Sequence, residues 1–210
     1  MNALDVASSS ADVVLQPMIH RGFAEAYLSI RVELRRAIQH ALAQCDSTAP
    51  IELCFTGHSL GGALCTVAAL DTFYWQDQSL KNPLSTSTIS PAASCGSAFI
   101  RLFTFGAPRV GNHRFAKIVN DKINDSWRVV LDGDPIPSVP KLYLMGNMYK
   151  HAQRHVLLDL RGNLIIDPLH VERLLHEDRK TNFGAHNLDL YTQALEAAFG
   201  DEEVVEEEAV

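Results

Sequence analysis

A serine flanked by glycines, between an apolar run and a helix-forming run, most constrains the fold of this chain. Residues 57–61 have the sequence G-H-S-L-G, with the apolar segment Ile51–Phe55 before them and the helix-forming segment Ala63–Ala69 after them. A buried strand, a tight turn and a helix in this order are typical of α/β sheets, where such a turn holds the serine hydroxyl above the strand end. We expect Gly57 and Gly61 to be glycine because a Cβ at either position would collide with the neighbouring strand or helix.

This turn favours nucleophilic attack by Ser59 on a carbonyl carbon. The backbone N–H groups that open the following helix, beginning with that of Leu60, would face negative charge developing on the carbonyl oxygen. The pattern therefore predicts a hydrolase of esters, thioesters or amides. The structural alternative is a turn that only packs tightly, whereas a phosphate loop is excluded because its G-x-x-x-x-G-K-[ST] lysine is missing. His58 is expected to point away from the Ser59 hydroxyl and to serve packing.

Length and composition indicate one globular domain. The chain has 210 residues, of which 47% are hydrophobic and 20% charged, and this is enough for a sizeable core. Its net charge is −7, of which six acidic residues between positions 201 and 208 supply −6. The rest of the chain is near neutral, which argues against nucleic acid as a partner.

Cellular location and redox state are predicted from what the sequence lacks. No stretch approaches the ~18 apolar residues of a membrane span, and the N-terminus has neither the basic region nor the apolar core of a secretory signal. We therefore expect a cytoplasmic location. Cys54 is expected to be buried on a central strand. All four cysteines are expected to be free thiols in a reducing compartment: Cys45, Cys54, Cys65 and Cys95.

Alternating extended and helical patterns predict a mostly parallel sheet with helices on both faces. Strands are predicted at about 51–56, 99–105 and 127–131, a hairpin at 155–166, a surface loop at 77–97, and helices at 22–44, 60–74, 112–123, 169–180 and 188–199. Residues 1–18 are expected to be a weakly ordered segment, residues 19–199 one α/β domain, and residues 200–210 an acidic disordered tail. Catalytic residues of such sheets collect at the carboxyl ends of the strands, where Ser59 lies.

A serine nucleophile needs a base, which is normally a histidine held by a carboxylate. In this fold the order along the chain is serine, acid, histidine. Asp134 follows the third predicted strand and is the predicted acid, with Asp132 as the alternative. Either carboxylate could instead only cap the proline-rich turn.

The predicted base is His186, in a glycine-containing loop before the last helix. His151 and His170 stay open as alternatives, whereas His155 and His176 are expected at the surface or in packing. His151 and His155 could also form a metal pair, but no third ligand is spaced to complete it.

Four ordered segments resemble the fungal-type class 3 lipases, and the resemblance extends from about residue 19 to about residue 195. The segments are His20–Phe23, Thr56–Leu64, Thr104–Asn112 and Asp134–Pro137. The resemblance implies an α/β-hydrolase fold and hydrolysis of lipid carboxylic esters without a metal or cofactor. It implies Ser59 as nucleophile, Asp134 as orienting acid, His186 as base and peripheral contact with a lipid surface.

The front of the chain departs from this family. Complete members carry an earlier portion with several strands, a lid, and a Phe-Arg-Gly-Thr/Ser-like segment that supplies a second oxyanion donor. The sequence has no such segment, so we expect an N-terminally incomplete fold with an uncovered sheet edge. Two functions remain in competition: a triacylglycerol lipase-like serine hydrolase, and a weak or inactive lipase-like binding or regulatory module. A peptidase or thioesterase on the same fold is a third alternative.

Overall fold

Among the residues that the computed structural model describes, five strands lie side by side in the main sheet. In spatial order they are β1 (Glu52–His58), β2 (Phe99–Phe105), β4 (Asp125–Leu131), β6 (Arg154–Leu158) and β7 (Leu164–Ile166). The first four are parallel, and β7 returns antiparallel to β6. A separate two-stranded sheet pairs β3 (Gly111–Asn112) with β5 (Tyr149–Lys150). The structure describes residues 16–45, 49–81, 98–140, 149–169, 171–172 and 182–200.

Helices and short 3₁₀ turns accompany the strands in the described residues. The helices are α1 (Arg21–Leu42), α2 (Leu60–Lys81), α3 (His113–Lys122) and α4 (Leu188–Phe199), and the 3₁₀ turns span Ile136–Ser138 and Phe183–His186. Asparagine side chains cap α3 and α4, because Asn112 accepts a hydrogen bond from Phe115 N and Asn187 accepts one from Asp189 N. Each cap satisfies a backbone N–H that has no partner inside its helix.

The helices cover both faces of the sheet, as the alternating pattern predicts. Ile100 and Leu102 of β2 pack with residues of α1, α2 and α3 in one hydrophobic cluster. Val129 and Leu131 of β4 pack with Tyr191 of α4 in another. Phe105 lies opposite Val129 in the register, and residues at odd and even positions of β2 point to opposite faces. The two clusters therefore lie on opposite sides of the sheet.

Two local predictions are wrong, and one short element was missed. Helix α2 continues to Lys81 rather than ending near residue 74, because no proline or glycine interrupts the chain before Pro83. The short β3–β5 pair was not predicted, since two-residue strands carry no periodic signal. Strand β1 lies at an edge of the described sheet and Cys54 on it is exposed, not buried.

The other element predictions agree within a few residues, including the hairpin of β6 and β7 and the last helix. The predicted helix at 169–180 lies mostly outside the described residues. So do most of the loop predicted at 77–97, most of the segment predicted at 1–18 and most of the tail predicted at 200–210. Cys45, Cys54 and Cys65 are free thiols, as predicted, whereas Cys95 lies outside the described part of the chain.

Candidate active site

Ser59 occupies a strained turn between β1 and α2. Its φ is 55°, a left-handed value that is uncommon for a residue with a side chain. The turn is fixed on both sides, since Ser59 N donates to Phe105 O at 2.9 Å and Ser59 O accepts from Ala63 N at 3.3 Å. Backbone strain held this way is a feature of functional sites. The hydroxyl is thus positioned by the neighbouring strand β2 and by the first turn of α2.

The glycines around Ser59 play different parts from those expected. A Cβ at Gly57 would lie 2.6 Å from the Gly61 carbonyl carbon, and a Cβ at Gly62 would lie 2.8 Å from Ala107 Cβ. A Cβ at Gly61 would meet nothing within 4 Å. The expected collision is therefore correct for Gly57 and wrong for Gly61, whose Cβ direction is open. Gly62, directly after the motif, is the second glycine that close packing requires.

One imidazole joins the predicted serine and the predicted acid. His186 Nε2 lies 2.7 Å from Ser59 Oγ, and His186 Nδ1 lies 2.8 Å from Asp134 Oδ2. The Asp134 side chain is fully buried and that of His186 is 19% exposed. Three side chains far apart in sequence thus form one continuous hydrogen-bonded chain at the carboxyl ends of β1 and β4. The ring remains accessible from solvent while the carboxylate does not.

Asp134 is held by two further donors. Ile136 N donates to Oδ1 at 2.8 Å, and the Tyr191 hydroxyl donates to Oδ2 at 2.6 Å. Tyr191 is itself buried, and its oxygen accepts from Leu131 N at 3.0 Å. Burial, followed by the hydrogen bond to Asp134, raises the pKa of Tyr191. The phenol therefore stays neutral and can donate to the carboxylate.

Because Gly106 has no side chain, there is room for Asp134, Tyr191 and His186 to meet beside it. Its φ is +58°, and a Cβ there would lie 2.8 Å from Asp134 Oδ2, 2.9 Å from the Tyr191 hydroxyl and 3.1 Å from His186 Cε1. Neither Gly106 nor Tyr191 was singled out from the sequence. The glycine before Ala107-Pro108 was a usable signal, since it directly follows a strand whose end lies beside that of β1.

His58 packs against the groups that surround Ser59. Its ring lies 4.5 Å from that of His186, tilted by 32°, and 5.6 Å from that of Tyr191, edge to face. Burial, followed by the charge of His186, lowers the pKa of His58. This agrees with an orientation that serves packing, and it makes His58 a neutral neighbour of the base.

The alternative acid and bases lie elsewhere or outside the described residues. Asp132 N donates to Leu158 O at 2.8 Å, whereas the carboxylate that His186 contacts is that of Asp134. His151 Nε2 lies 2.8 Å from Pro137 O, so this ring braces the turn after Asp134. His155 lies on β6, where its backbone N donates to Asp167 Oδ1. His170 and His176 lie outside the described part of the chain.

The described residues contain neither a metal-binding cluster nor a membrane-spanning helix. Within residues 16–45, 49–81, 98–140 and the later described segments, no group of three histidine, cysteine or carboxylate side chains could hold a metal ion. None of the helices in the same residues is long and apolar enough to cross a membrane.

Comparison with known proteins identifies relatives of one family. A family model described as lipase (class 3) matches residues 1–144. A secreted mono- and diacylglycerol lipase of Fusarium solani is 31% identical over 150 residues, which are 71% of this chain and 37% of that protein. A chloroplastic phospholipase A(1) of Arabidopsis thaliana is 30% identical over 61% of this chain and 25% of that protein. The chain thus spans about a quarter to two fifths of the length of these relatives.

A solved structure has the same fold. It is the structure of a triacylglycerol lipase whose catalytic centre is described as a serine protease triad. The TM-score is 0.60 and the sequence identity is 24%, and the match covers 84% of this chain and 60% of that one. At this identity the likeness establishes the α/β-hydrolase fold alone. The family match ends at residue 144, before His186, so the place of His186 in the site rests on its distances to Ser59 and Asp134.

The prediction of a cytoplasmic location is wrong. Several of the relatives that match are named as secreted or chloroplastic proteins. The prediction depended on the lack of a leader sequence in a chain that spans only part of its relatives, and such a lack does not report location.

Proposed function

The chain belongs to the class 3 lipase family, and from this we propose that it hydrolyses lipid carboxylic esters through an acyl-enzyme formed on Ser59. The observation that carries the proposal is the position of His186, within hydrogen-bond distance of both Ser59 Oγ and Asp134 Oδ2. A nucleophile needs a base within reach and the base needs an orienting group, and both distances meet that requirement.

Asp134 fixes the tautomer of the base. A carboxylate only accepts hydrogen bonds, so His186 Nδ1 carries the proton that it donates to Oδ2. The lone pair on Nε2 is then directed at the Ser59 hydroxyl, 2.7 Å away. When His186 becomes an imidazolium, the buried charge of Asp134 stabilises it without taking its proton.

The reaction takes two steps. Ser59 Oγ attacks the ester carbonyl carbon as its proton passes to His186 Nε2, and the tetrahedral oxyanion is stabilised by the backbone N–H of Leu60. The intermediate collapses to the acyl-serine as the imidazolium gives its proton to the departing alkoxide. Water then attacks the acyl carbon, with His186 Nε2 as base. The fatty acid is released and the Ser59 hydroxyl regains a proton.

The relatives indicate the substrate class. They include, by name, lipases of mono- and diacylglycerols and a phospholipase A(1). All such substrates are esters of a fatty acyl group with a glycerol oxygen, which is the bond that this mechanism breaks. We therefore propose a glycerolipid ester as the substrate.

Hydrolysis of a glycerolipid panel by the purified chain tests this function. Ser59→Ala should reduce turnover by at least about 10³-fold, because the remaining groups cannot form the acyl-enzyme. Ser29→Ala, on the exposed face of α1, is the matched control and should leave turnover unchanged. Equal turnover by Ser59→Ala and the parent chain would refute the proposal. No turnover by either variant or the parent would favour the inactive lipase-like module.

A further inference from the structure

A groove of about 360 Å³ runs between α1 and α2, away from the proposed active site. Each helix lines it with residues spaced at i, i+3, i+4 and i+7, which lie on one face of a helix. The contributors from α1 are Ala24, Tyr27, Leu28 and Arg31, and those from α2 are residues 67, 70, 71 and 74. The volume is within the range of small-molecule sites.

The walls of the groove are mostly apolar. Tyr27, Val67 and Phe115 form a buried floor, with exposures of 3%, 6% and 2%. Leu28 and Tyr74 are exposed at the rim. From Ala24 to Arg31 the floor extends about 10 Å along the axis of α1, at ~1.5 Å per residue. An aliphatic chain placed here would bury apolar surface on both helices.

Positive charge is in excess beside this apolar surface. Asp71 accepts paired hydrogen bonds from Arg31, at 2.7 and 3.1 Å, and from Arg35, both at 3.0 Å. Tyr27 donates a fifth bond to it at 2.7 Å. Burial, followed by the bond to Asp71, raises the pKa of Tyr27, so the phenol is neutral. Two guanidinium groups therefore share one carboxylate, and the cluster carries a net charge of about +1.

Arg31 is the member of this cluster that can meet a ligand. Arg35 stacks over the Trp75 ring at 5.4 Å, whereas Arg31 lines the groove and its side chain is 37% exposed. Its bonds to Asp71 use Nε and Nη2, which leaves N–H donors on the remaining part of the five-donor guanidinium. A single carboxylate would neutralise the excess charge.

We propose that this groove binds one medium-chain fatty acid, with its carboxylate on Arg31 and its alkyl chain over Tyr27, Val67 and Phe115. The groove combines an apolar body with one cationic end, and a fatty acid has the complementary arrangement. That the ligand is also the product of the enzyme rests on the proposed function. The binding itself requires only the contacts described.

The groove is separate from the catalytic serine. Ser59 directly precedes α2, and the groove residues of this helix lie 8 to 15 positions further on. At ~1.5 Å per residue this places them about 12–22 Å along the helix from Ser59. A fatty acid in the groove would therefore leave the ester site free, so blocking Ser59 should not prevent binding.

Calorimetric titration of the full chain with dodecanoate, after covalent blocking of Ser59 with a fluorophosphonate or in Ser59→Ala, measures this binding. Arg31→Gln should raise the Kd for dodecanoate by about 10- to 100-fold, the range expected for the loss of one charge-assisted hydrogen-bonding group. Leu28→Gln tests the apolar wall at an exposed position, where the fold tolerates the change, and should weaken Kd by about 5- to 10-fold. Dodecanol and butanoate, which lack the charge or the chain, should bind much more weakly than dodecanoate.

Matched controls lie on the same helix outside the groove. Ile30→Gln replaces another exposed apolar residue, and Arg36→Gln removes a surface cation that pairs with Glu33. Both should leave the Kd within about twofold of the parent value. Equal affinity for dodecanoate in all four variants would overturn the proposed binding in the groove. Stoichiometric binding only when Ser59 is unblocked would overturn it as well. So would binding seen only as dodecanoate-induced dimers in sedimentation.

Failure of this proposal can be told apart from failure of the proposed function. Fluorophosphonate labelling of Ser59 reports the nucleophile without reference to the groove. A chain that is labelled at Ser59 but does not bind dodecanoate would overturn only the proposed fatty-acid binding in the groove. A chain that is not labelled at Ser59 but binds dodecanoate through Arg31 would contradict the proposed hydrolase function and would support the proposed fatty-acid binding in the groove.

Discussion

Tyr191 ties the acid of the site to the central strands through a single oxygen atom. Its hydroxyl donates to Asp134 Oδ2 at 2.6 Å and accepts from Leu131 N at 3.0 Å, with the side chain fully buried. Because Asp134 in turn holds His186 at 2.8 Å, the tyrosine positions the base through the acid. It is a positioning residue and does not reach Ser59.

Tyr191→Phe should impair both stability and turnover. The change leaves a buried Leu131 N–H without its acceptor and removes one of the three donors to Asp134, which costs about 1–3 kcal/mol of unfolding free energy. We expect ester turnover to fall by about tenfold, as the carboxylate loses its fixed orientation. Urea unfolding and kcat/KM check the two effects. Tyr149→Phe, whose ring contacts His20 outside the site, is the control. If both variants equal the parent chain, Tyr191 has no positioning role.

Single-residue reasoning from the sequence reached the residues whose chemistry is unusual. Ser59, Asp134 and His186 were predicted from a motif and from the order of the fold, and the structure brings them together. Tyr191 was not predicted, and Gly106 was noted only within the segment Thr104–Asn112 that resembles the family. Their roles depend on which side chains from distant segments meet at one point. The position of Gly106 directly after a strand was a usable signal, whereas the sequence around Tyr191 carries no local sign of such a meeting.

At the scale of elements, the strand–turn–helix unit of β1, Ser59 and α2 depends on two close backbone approaches. One joins Gly57 to the backbone of Gly61, and the other joins Gly62 to Ala107 beyond β2. The expectation from the motif that both flanking glycines are needed for space fails at Gly61. The letters of a motif do not indicate the direction in which each Cβ would point.

Alanine substitutions should separate these glycines. Gly57→Ala places a Cβ 2.6 Å from backbone atoms that cannot move freely, so we expect a loss of roughly 3 kcal/mol or more and little soluble protein. Gly61→Ala meets nothing within 4 Å on the first turn of α2. It should change stability by no more than about 1 kcal/mol and keep turnover within a few-fold. Thermal melts of the two variants decide the point, and equal melting temperatures would contradict this account.

The turn after β4 depends on His151, which should make stability sensitive to acid. Burial, followed by the charges of Arg128 and Arg109, holds the pKa of His151 well below its usual value. In the unfolded chain His151 therefore binds a proton near pH 6.5, whereas in the folded chain it stays neutral at that pH. Stability from this group is fully present above pH 6.5. It is lost, by at most about 1.4 kcal/mol per pH unit, as the pH falls toward the folded pKa.

His151→Gln should flatten this dependence, because glutamine can still donate to Pro137 O but does not titrate in this range. Unfolding free energies measured from pH 7.5 to 5 should fall less steeply in the variant than in the parent chain. Some slope should remain, since the pKa of His58 is also lowered. The exposed His113→Gln serves as control and should retain the parent slope. If the unfolding free energies of the parent chain and of His151→Gln fall equally steeply with pH, the His151 ring is not the source of the acid sensitivity.

For the whole molecule, the pattern of strands and helices predicted the layered parallel sheet, and the comparisons confirm the fold. The sequence does not contain the strand order. Strand β1 was expected to be central because its run is apolar, yet it lies at an edge of the described sheet. Apolar patterning reports burial by the covering helices α1 and α2 as much as by neighbouring strands. Strand neighbours are set by tertiary pairing that no local window records.

Active-site labelling of the purified chain tests the central claim most directly. The account predicts that a fluorophosphonate forms one adduct per chain, located at Ser59 by peptide mass spectrometry. Labelling should be lost in Ser59→Ala, and slowed by at least about 10³-fold in His186→Ala, because the hydroxyl then lacks its base. A folded parent chain that takes up no label, or one that His186→Ala labels at the same rate, would contradict an assembled nucleophile and base.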